Sequence, residues 1–426
     1  VIDDSLVKYR VLGKHILLYK SERNPKSIAT QSDETYIHLS GRILDRENSS
    51  PLAFATVGIP SIALGTVSNQ DGVFTLRLPK TFEDSSILIS HIGYEPQLVP
   101  AAMLTEKNHP IYLQPKYIPI QEIVVRNLDA RATVGTAIER KNHNYFQQNF
   151  QITAFYREGV TRNHTLLSYS EAVVKIFKTA YNLGTDFDQV KLIRFRKMEQ
   201  ANRTDTLEVK LQAGINGTLD LDIVKNLPDF LDPQYNDYYN YHRNDIVSID
   251  GKSVYVIAFE QKPGVTSPLF SGLLYINTEN LAIIAAEFEI NPKWVEKTAS
   301  QLVVRRDRGI RVTPQRVKYW IRYQEHNQQH YVKHIRGEID IRVRTRYWPI
   351  PNSYNLFFEC VGLQVDTLNV ERFARSETLK PNIVFADSNF EYDSDFWMDM
   401  NYIEPEENLL KALSRITPKI EKLTEN

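Results

Sequence analysis

The sequence predicts a mainly β chain: a β-sandwich, then a large antiparallel β domain, then a C-terminal helix. Three observations carry that reading. The 23 Tyr and 19 Phe stand with Val, Ile and Thr in short alternating runs, the composition of half-buried pleated surfaces. Turn clusters such as Asn69-Gln70-Asp71-Gly72 cut residues 36–115 into several short strands, the pattern of a sandwich. Near the end of the chain, Leu409, Leu413, Ile416, Ile420 and Leu423 recur at three- and four-residue spacing, an apolar helical stripe.

Length and charge bound the function. A chain of 426 residues has room for two or three domains, each with its own core. With 51 Lys+Arg against 52 Asp+Glu, it lacks the basic excess of a nucleic-acid binder. The single cysteine, Cys360, excludes an intramolecular disulfide and Cys-rich metal sites. It sits in Phe357-Phe358-Glu359-Cys360-Val361, where a small buried thiol is expected. No run approaches the roughly 18 apolar residues of a membrane-spanning helix. The opening Val1-Ile2-Asp3 is compatible with a removed leader.

Residues 1–20 alternate around Leu12-Gly13-Lys14 and read as a β-hairpin. Two strands alone are marginal in water, so this hairpin is expected to continue an upstream domain or to dock. Asp4 to Leu18 resembles the closing segment of the secretin and TonB N-terminal short domain. Residues 21–35 are polar, contain Pro25 and read as a linker.

Residues 36–115 form the expected sandwich, with strands at Ile37–Leu44, Thr56–Ile59, Val73–Leu78 and Ile87–Ile92. Four ordered blocks carry the strongest resemblance in the chain: Ser40-Gly41-Arg42-Ile43-Leu44-Asp45, Pro51 to Val57, Thr66 to Leu76, and Ser90-His91-Ile92-Gly93-Tyr94-Glu95. They resemble the carboxypeptidase-regulatory-like domain of Bacteroidota envelope proteins. That resemblance implies an immunoglobulin- or transthyretin-like sandwich with an accessory, non-catalytic role. Asp71-Gly72 and Gly93-Tyr94 are turn residues on this reading. A calcium loop at Asn69 and Asp71 is the competing reading, without the terminal Glu such loops use. Ile120 to Val125 resembles the strand that follows this domain in TonB-dependent transporters, although no plug or membrane barrel follows here.

Residues 116–148 read as a connecting strand and helix, with Ala130, Val134, Ala137 and Ile138 among charged residues. Residues 149–385 read as an antiparallel β domain with an insertion at about 181–245. Ala282, Ile284, Ala286, Phe288 and Ile290 alternate with Glu287 and Glu289, predicting one buried face and one wet face. Val254 to Glu260, Gly272 to Asn277 and Ala282 to Phe288 resemble the strand series of lipoprotein-carrier-like half-barrels. Relatives of that kind enclose acyl chains or bind proteins. Residues 386–426 combine an acidic-aromatic segment with the amphipathic C-terminal helix, and Phe390 to Ile403 resembles the end piece of Bacteroidota proteins that pair the two domains.

Catalytic patterns are missing from the sequence. The ten His include no His-Glu-x-x-His pair, and His334 to Glu338 falls in a strand-like run. There is no Gly-x-Ser-x-Gly elbow, Walker loop or dinucleotide fingerprint. Asp220 and Asp222 are compatible with either catalysis or a solvated strand face. The expectation is therefore a non-enzyme without cofactor or metal.

Binding has better candidates. Arg342, Arg344 and Arg346 alternate with apolar neighbours, so one strand face could hold an anion such as a lipid phosphate or an acidic partner. Carboxylates across the ladder would instead make this an ordinary wet face, which is the favoured reading. Phe396, Trp397 and Tyr402 lie in an acidic-aromatic mixture that suits a partner surface; for Leu409, Leu413 and Ile416 packing on the chain's own sheet is the favoured reading and docking into a partner the sharper one. The triplets Asp4-Ser5-Leu6, Asp205-Thr206-Leu207 and Asp366-Thr367-Leu368 match the acceptor pattern of Bacteroidota periplasmic O-glycosylation. Together the resemblances imply a periplasmic protein at the inner face of the outer membrane. Its expected partner is an outer-membrane barrel complex, serving TonB-dependent transport or outer-membrane protein assembly, together with other envelope proteins; contact with the membrane surface is a further expectation, and nucleic acid is not expected. A lipid or lipoprotein carrier is the alternative, and a cell-wall or glycan-acting enzyme a minor one.

Overall fold

The computed structural model describes residues 7–12, 15–20, 36–116, 129–184, 188–199, 214–302, 309–345, 348–368, 370–379, 397, 400–411 and 413. Strands β1 (Val7–Leu12) and β2 (His15–Lys20) form the expected hairpin, paired from Val7–Lys20 to Leu12–His15. The linker at 21–35, the strand expected at Ile120 to Val125 and the triplets at Asp4 and Asp205 lie outside the described residues.

Seven strands among the described residues build the sandwich. They are β3 (Tyr36–Asp45), β4 (Thr56–Ile59), β5 (Leu64–Val67), β6 (Val73–Pro79), β7 (Ser86–Ser90), β8 (Gln97–Pro100) and β9 (His109–Leu113). One sheet has the order β6-β3-β9 with β3 and β9 parallel; the facing sheet has the order β5-β4-β7-β8. Period-two alternation sends Phe74, Leu76 and Leu78 of β6 into a core with Leu39, Ile43, Ile87 and Ile89. The 69–72 turn follows the turn reading: Asn69 Oδ1 accepts from the backbone N–H groups of Asp71 and Val73, each at 3.0 Å. Gly72 is required there, at φ +75° with a Cβ position 2.5 Å from the Ile43 carbonyl oxygen.

Helix α1 (Ala130–Glu139), capped by Asp129 through the Ala132 N–H, and α2 (Lys141–Asn144) precede the second domain. Its ten strands among the described residues are β10 (Phe150–Arg162), β11 (Thr165–Lys178), β12 (Gln189–Glu199), β13 (Tyr239–Ile249), β14 (Lys252–Gln261), β15 (Phe270–Asn277), β16 (Ile283–Ile290), β17 (Arg311–His326), β18 (Gln329–Thr345) and β19 (Trp348–Asp366). All pair antiparallel, in the order β12-β11-β10-β19-β18-β17-β16-β15-β14-β13, as a half-barrel sheet. A single pair, Gln364–Leu64, joins β19 to β5 and extends this into a fourteen-stranded sheet.

The inner face of the half-barrel is filled by its own chain. Ala130, Val134 and Ala137 of α1, with Ile215 and Leu219 of α3 (Ile215–Leu219), pack on inward strand residues. Phe230 stacks on Phe259 at 4.3 Å and contacts Phe288 at 4.9 Å. The region read as an insertion is thus integral: it supplies β12, part of β13 and this central ring. Beneath it, Asp222 is fully buried and accepts from Lys178 Nζ at 2.9 Å, Tyr323 at 2.9 Å and Tyr181 at 3.1 Å. These donors satisfy a charge that burial alone would make costly.

The outer face departs from expectation. The face expected to be wet is dry where the sandwich and residues 397–413 cover it. Directly paired residues make a row across the sheet, Arg196, Glu171, Arg157, Glu359, Arg336, Trp320 and Glu287. Its first five members are 3% exposed or less. Alternating signs across the ladder allow this burial, since each Arg faces a carboxylate. The alternation expected from Ala282 to Ile290 also breaks: Ala282 and Ile284 pack outward with Ile92 of the sandwich, while Ala286, Phe288 and Ile290 face inward. A bulge between Tyr275 and Ile276 shifts the register there and turns one stretch of strand to the other face.

Candidate functional site

One groove lies on the sandwich between two of its edge strands. Strand β8 ends one sheet and β9 ends the other, so each pairs on one side only among the described residues. At one end they are zipped together: Glu95 N–H donates to the Gln114 carbonyl at 2.9 Å and Lys116 N–H to the Gly93 carbonyl at 2.8 Å. Gly93, at φ +81°, makes the turn, and the Tyr94 hydroxyl pins it by donating to Asp45 Oδ2 at 2.6 Å. That bond holds the Asp45 carboxyl below its ordinary range. Beyond the zipped end the strands splay and leave a groove of about 340 Å³, with Val99 and Ile111 as core residues at its base. Arg46, Met103, His109 and Tyr112 line its sides.

Two of the lining side chains are large, apolar and exposed, Met103 at 57% and Tyr112 at 44%, and Leu98 of β8 is 65% exposed. Unpaired strand edges present rows of backbone N–H and C=O groups, and such edges accept an added strand. The charged lining is basic, from Arg46 with His109 beside it.

A second cleft, of about 220 Å³, lies between the sandwich and the half-barrel and is lined by Thr56, Ser90, Asp250, Lys252, Glu325 and His330 among others. Its charges are engaged with one another. Lys252 pairs with Glu325, and Arg322 with Asp250 at 3.2 Å. His330 Nδ1 bonds the Asn144 carbonyl at 3.0 Å, while Nε2 faces Glu325 at 3.7 Å. Burial lowers the His330 pKa. Nearby, His91 is brought down to about 4 by burial and the Arg322 charge, against two carbonyl contacts that favour its cation. Lys333 is brought to about 7 by burial and Arg322. These groups serve the junction of the two domains.

The described part of the C-terminal segment packs on its own chain. Asn401 pairs with the backbone of Arg77 on the free edge of β6, accepting from its N–H at 2.6 Å and donating to its carbonyl at 3.0 Å. Asp71 accepts from the Glu407 N–H at 2.7 Å, capping the helical turn at 407–411. Trp397, expected on a partner surface, is 1% exposed; it packs on Phe155 and under the Arg196 guanidinium, 5.0 Å from the ring centre. Tyr402 is half-buried and stacks on Trp397; Leu409 is half-buried and Leu413 is buried. The burial has a physical cause: this apolar surface packs at the junction of the two domains, where Trp397 and Ile403 cluster with Val67, Phe155 and Val361. Phe396, Ile416 and Arg346 lie outside the described residues.

Arg342 and Arg344 are exposed on the outer face, away from that segment. The carboxylates expected across the ladder are not their partners: Arg342 faces Thr313 and Ser353, and Arg344 faces Arg311. The sandwich groove escaped the sequence reading because β8 and β9 are four and five residues long and carry Pro100 and Pro110. Their exposed apolar residues give no period to detect.

The CarboxypepD_reg-like domain family matches residues 39–125. The chain is similar to a solved DUF1329 family protein from Desulfovibrio piger, with 12% identity, a TM-score of 0.24, and coverage of 57% of this chain and 96% of that one. It is also similar to a putative outer membrane lipoprotein-sorting protein domain from Vibrio parahaemolyticus, with 10% identity, a TM-score of 0.23, and coverage of 57% and 95%. No curated protein matches the chain.

Proposed function

We propose that this chain is a non-enzymatic accessory protein of the bacterial envelope that binds a partner by adding a strand to its sandwich. The observation that carries the reading is the splayed β8–β9 groove, with two open edges and exposed Leu98, Met103 and Tyr112. Burial supports a non-catalytic role for the lone thiol, since it pushes the Cys360 pKa up to about 12. The resemblance of residues 40–95 to Bacteroidota envelope proteins supports a periplasmic location beside an outer-membrane barrel complex. The carrier alternative is less favoured, because Phe230 and its neighbours occupy the concavity that an acyl chain would need.

Affinity purification from solubilised membranes tests the proposal. The wild-type chain is expected to bring down an outer-membrane barrel protein, and a Leu98→Asp, Tyr112→Asp double variant to lose it while retaining its thermal transition. Recovery of free monomer alone, or equal recovery with the variant, overturns it.

A further inference from the structure

The open edges of the sandwich groove carry more backbone acceptors than donors. A strand residue directs its N–H and C=O to one side, and the next residue directs them to the other. On β8, the Ala101 N–H donates to the Ser85 carbonyl at 3.0 Å, continuing the register Ile87–Val99 and Ile89–Gln97. Gln97 and Val99 therefore bond to β7, while Leu98 and Pro100 face away from it. On β9, the Arg46 N–H donates to the Leu113 carbonyl at 3.0 Å, continuing the parallel register Leu44–Tyr112 and Arg42–Pro110. His109, Ile111 and Leu113 therefore bond to β3, while Pro110 and Tyr112 face away. Both prolines fall where a missing N–H costs the ladder nothing. Each strand thus turns one N–H to the open side, from Leu98 and from Tyr112, together with its own carbonyl and that of a proline.

So short a set of backbone bonds can hold an added strand but cannot choose its sequence, so selection falls to side chains. Alternate residues of an entering strand would meet Val99 and Ile111 at the base of the groove. The residues between them would meet the walls, where Arg46 and His109 stand. His109 opens β9 and Arg46 lies level with its last residue, Leu113, so the two are about four residues, or about 13 Å, apart along the strand. No carboxylate lines the groove, and neither Arg46 nor His109 has an ion pair or a side-chain hydrogen bond among the described residues. A carboxylate entering here would pair with the Arg46 fork and accept from the imidazole N–H of His109. A basic segment would bring like charge to an unpaired guanidinium.

On the premise that this groove adds a strand, we infer that the partner segment is acidic: an extended stretch with two carboxylates four residues apart, whose intervening apolar residues point at Val99 and Ile111. The full-length chain is titrated into two dye-labelled, acetylated peptides, Glu-Ile-Thr-Val-Glu and Lys-Ile-Thr-Val-Lys, and fluorescence anisotropy is read. The acidic peptide is expected to bind more tightly, with an advantage that shrinks as salt is raised. Arg46→Glu is expected to weaken the acidic peptide about fivefold and to strengthen the basic one by a similar factor. Arg46→Gln removes the preference without reversing it. Leu98→Pro deletes the outward N–H of β8 without deleting a ladder bond, and weakens whichever peptide binds. The thermal transition checks that each variant is folded. Equal binding of the two peptides, with both lost in Leu98→Pro, overturns the acidic preference and leaves strand addition standing. Binding that depends on Arg46 but survives Leu98→Pro overturns strand addition itself. Tighter binding of the basic peptide, or an unchanged preference in folded Arg46→Glu, overturns the inference.

Discussion

Arg157 of β10 and Glu359 of β19 face each other in the interior of the molecule, with Nε 2.6 Å from Oε2 and neither side chain more than 1% exposed. Glu359 also accepts from His334 Nε2 at 2.8 Å and lies 3.5 Å from Arg336, while Arg157 reaches Glu406 of the C-terminal segment at 2.8 Å. One carboxylate therefore ties three strands, and the guanidinium opposite ties them to the chain's closing segment.

Glu359→Gln is expected to destabilise the protein by about 3–5 kcal/mol, because it leaves buried cations without their counter-charge. Burial would raise the Glu359 pKa, but Arg157, Arg336 and His334 outweigh it and hold the carboxyl well below its ordinary 4.5. A depressed carboxyl pKa contributes stability above 4.5 that is lost as pH falls below it. Denaturant titrations across that range should show a shallower acid decline in the variant than in the wild type.

Trp397→Ala removes the ring that joins Phe155 and Arg196 to the C-terminal segment. A loss of about 3–5 kcal/mol is expected. Limited proteolysis should then cut near residue 400 at a protease level that leaves the wild type intact.

Lys333 is 2% exposed, and its ammonium lies 3.5 Å from the Gly65 carbonyl oxygen at the domain junction. Its pKa falls from 10.5 to about 7, through burial and then Arg322, so the folded state releases the proton first. Wild-type stability should accordingly rise as pH increases from 7 toward 10.5. Lys333→Met should be more stable than wild type at pH 7, by on the order of a few kcal/mol, with the advantage shrinking toward the ordinary lysine value. Thermal unfolding at several pH values measures the difference.

Phe230→Ala should open an apolar void between Phe259 and Phe288. The expected destabilisation is about 3–5 kcal/mol. Xenon or benzene uptake, measured by NMR, should appear in the variant and not in the wild type. Equal uptake by both would contradict a filled concavity.

The β class was legible because residues such as Phe74, Leu76 and Leu78 alternate cleanly and Asp71-Gly72 allows one turn chemistry. Helix α1 was legible through Ala130, Val134 and Ala137. What local pattern could not reveal depends on residues distant in the chain. Arg157 and Glu359 look like two members of a solvated face until β10 and β19 are paired and a third segment covers them. Trp397 among acidic neighbours looks like a partner surface until Asn401 finds the edge of β6. Arg342 and Arg344 were recognisable as one face, but their lack of opposing carboxylates required the register with β17 and β19.

The pairing of β10 with β19 also dictates an order of events during synthesis. Gln151 cannot meet Asp366 until nearly the whole second domain has left the ribosome. Until then β10 offers a naked flank that a neighbouring nascent chain could seize. Such distant closure slows acquisition of the native state and leaves a half-formed sheet open to association until β19 arrives.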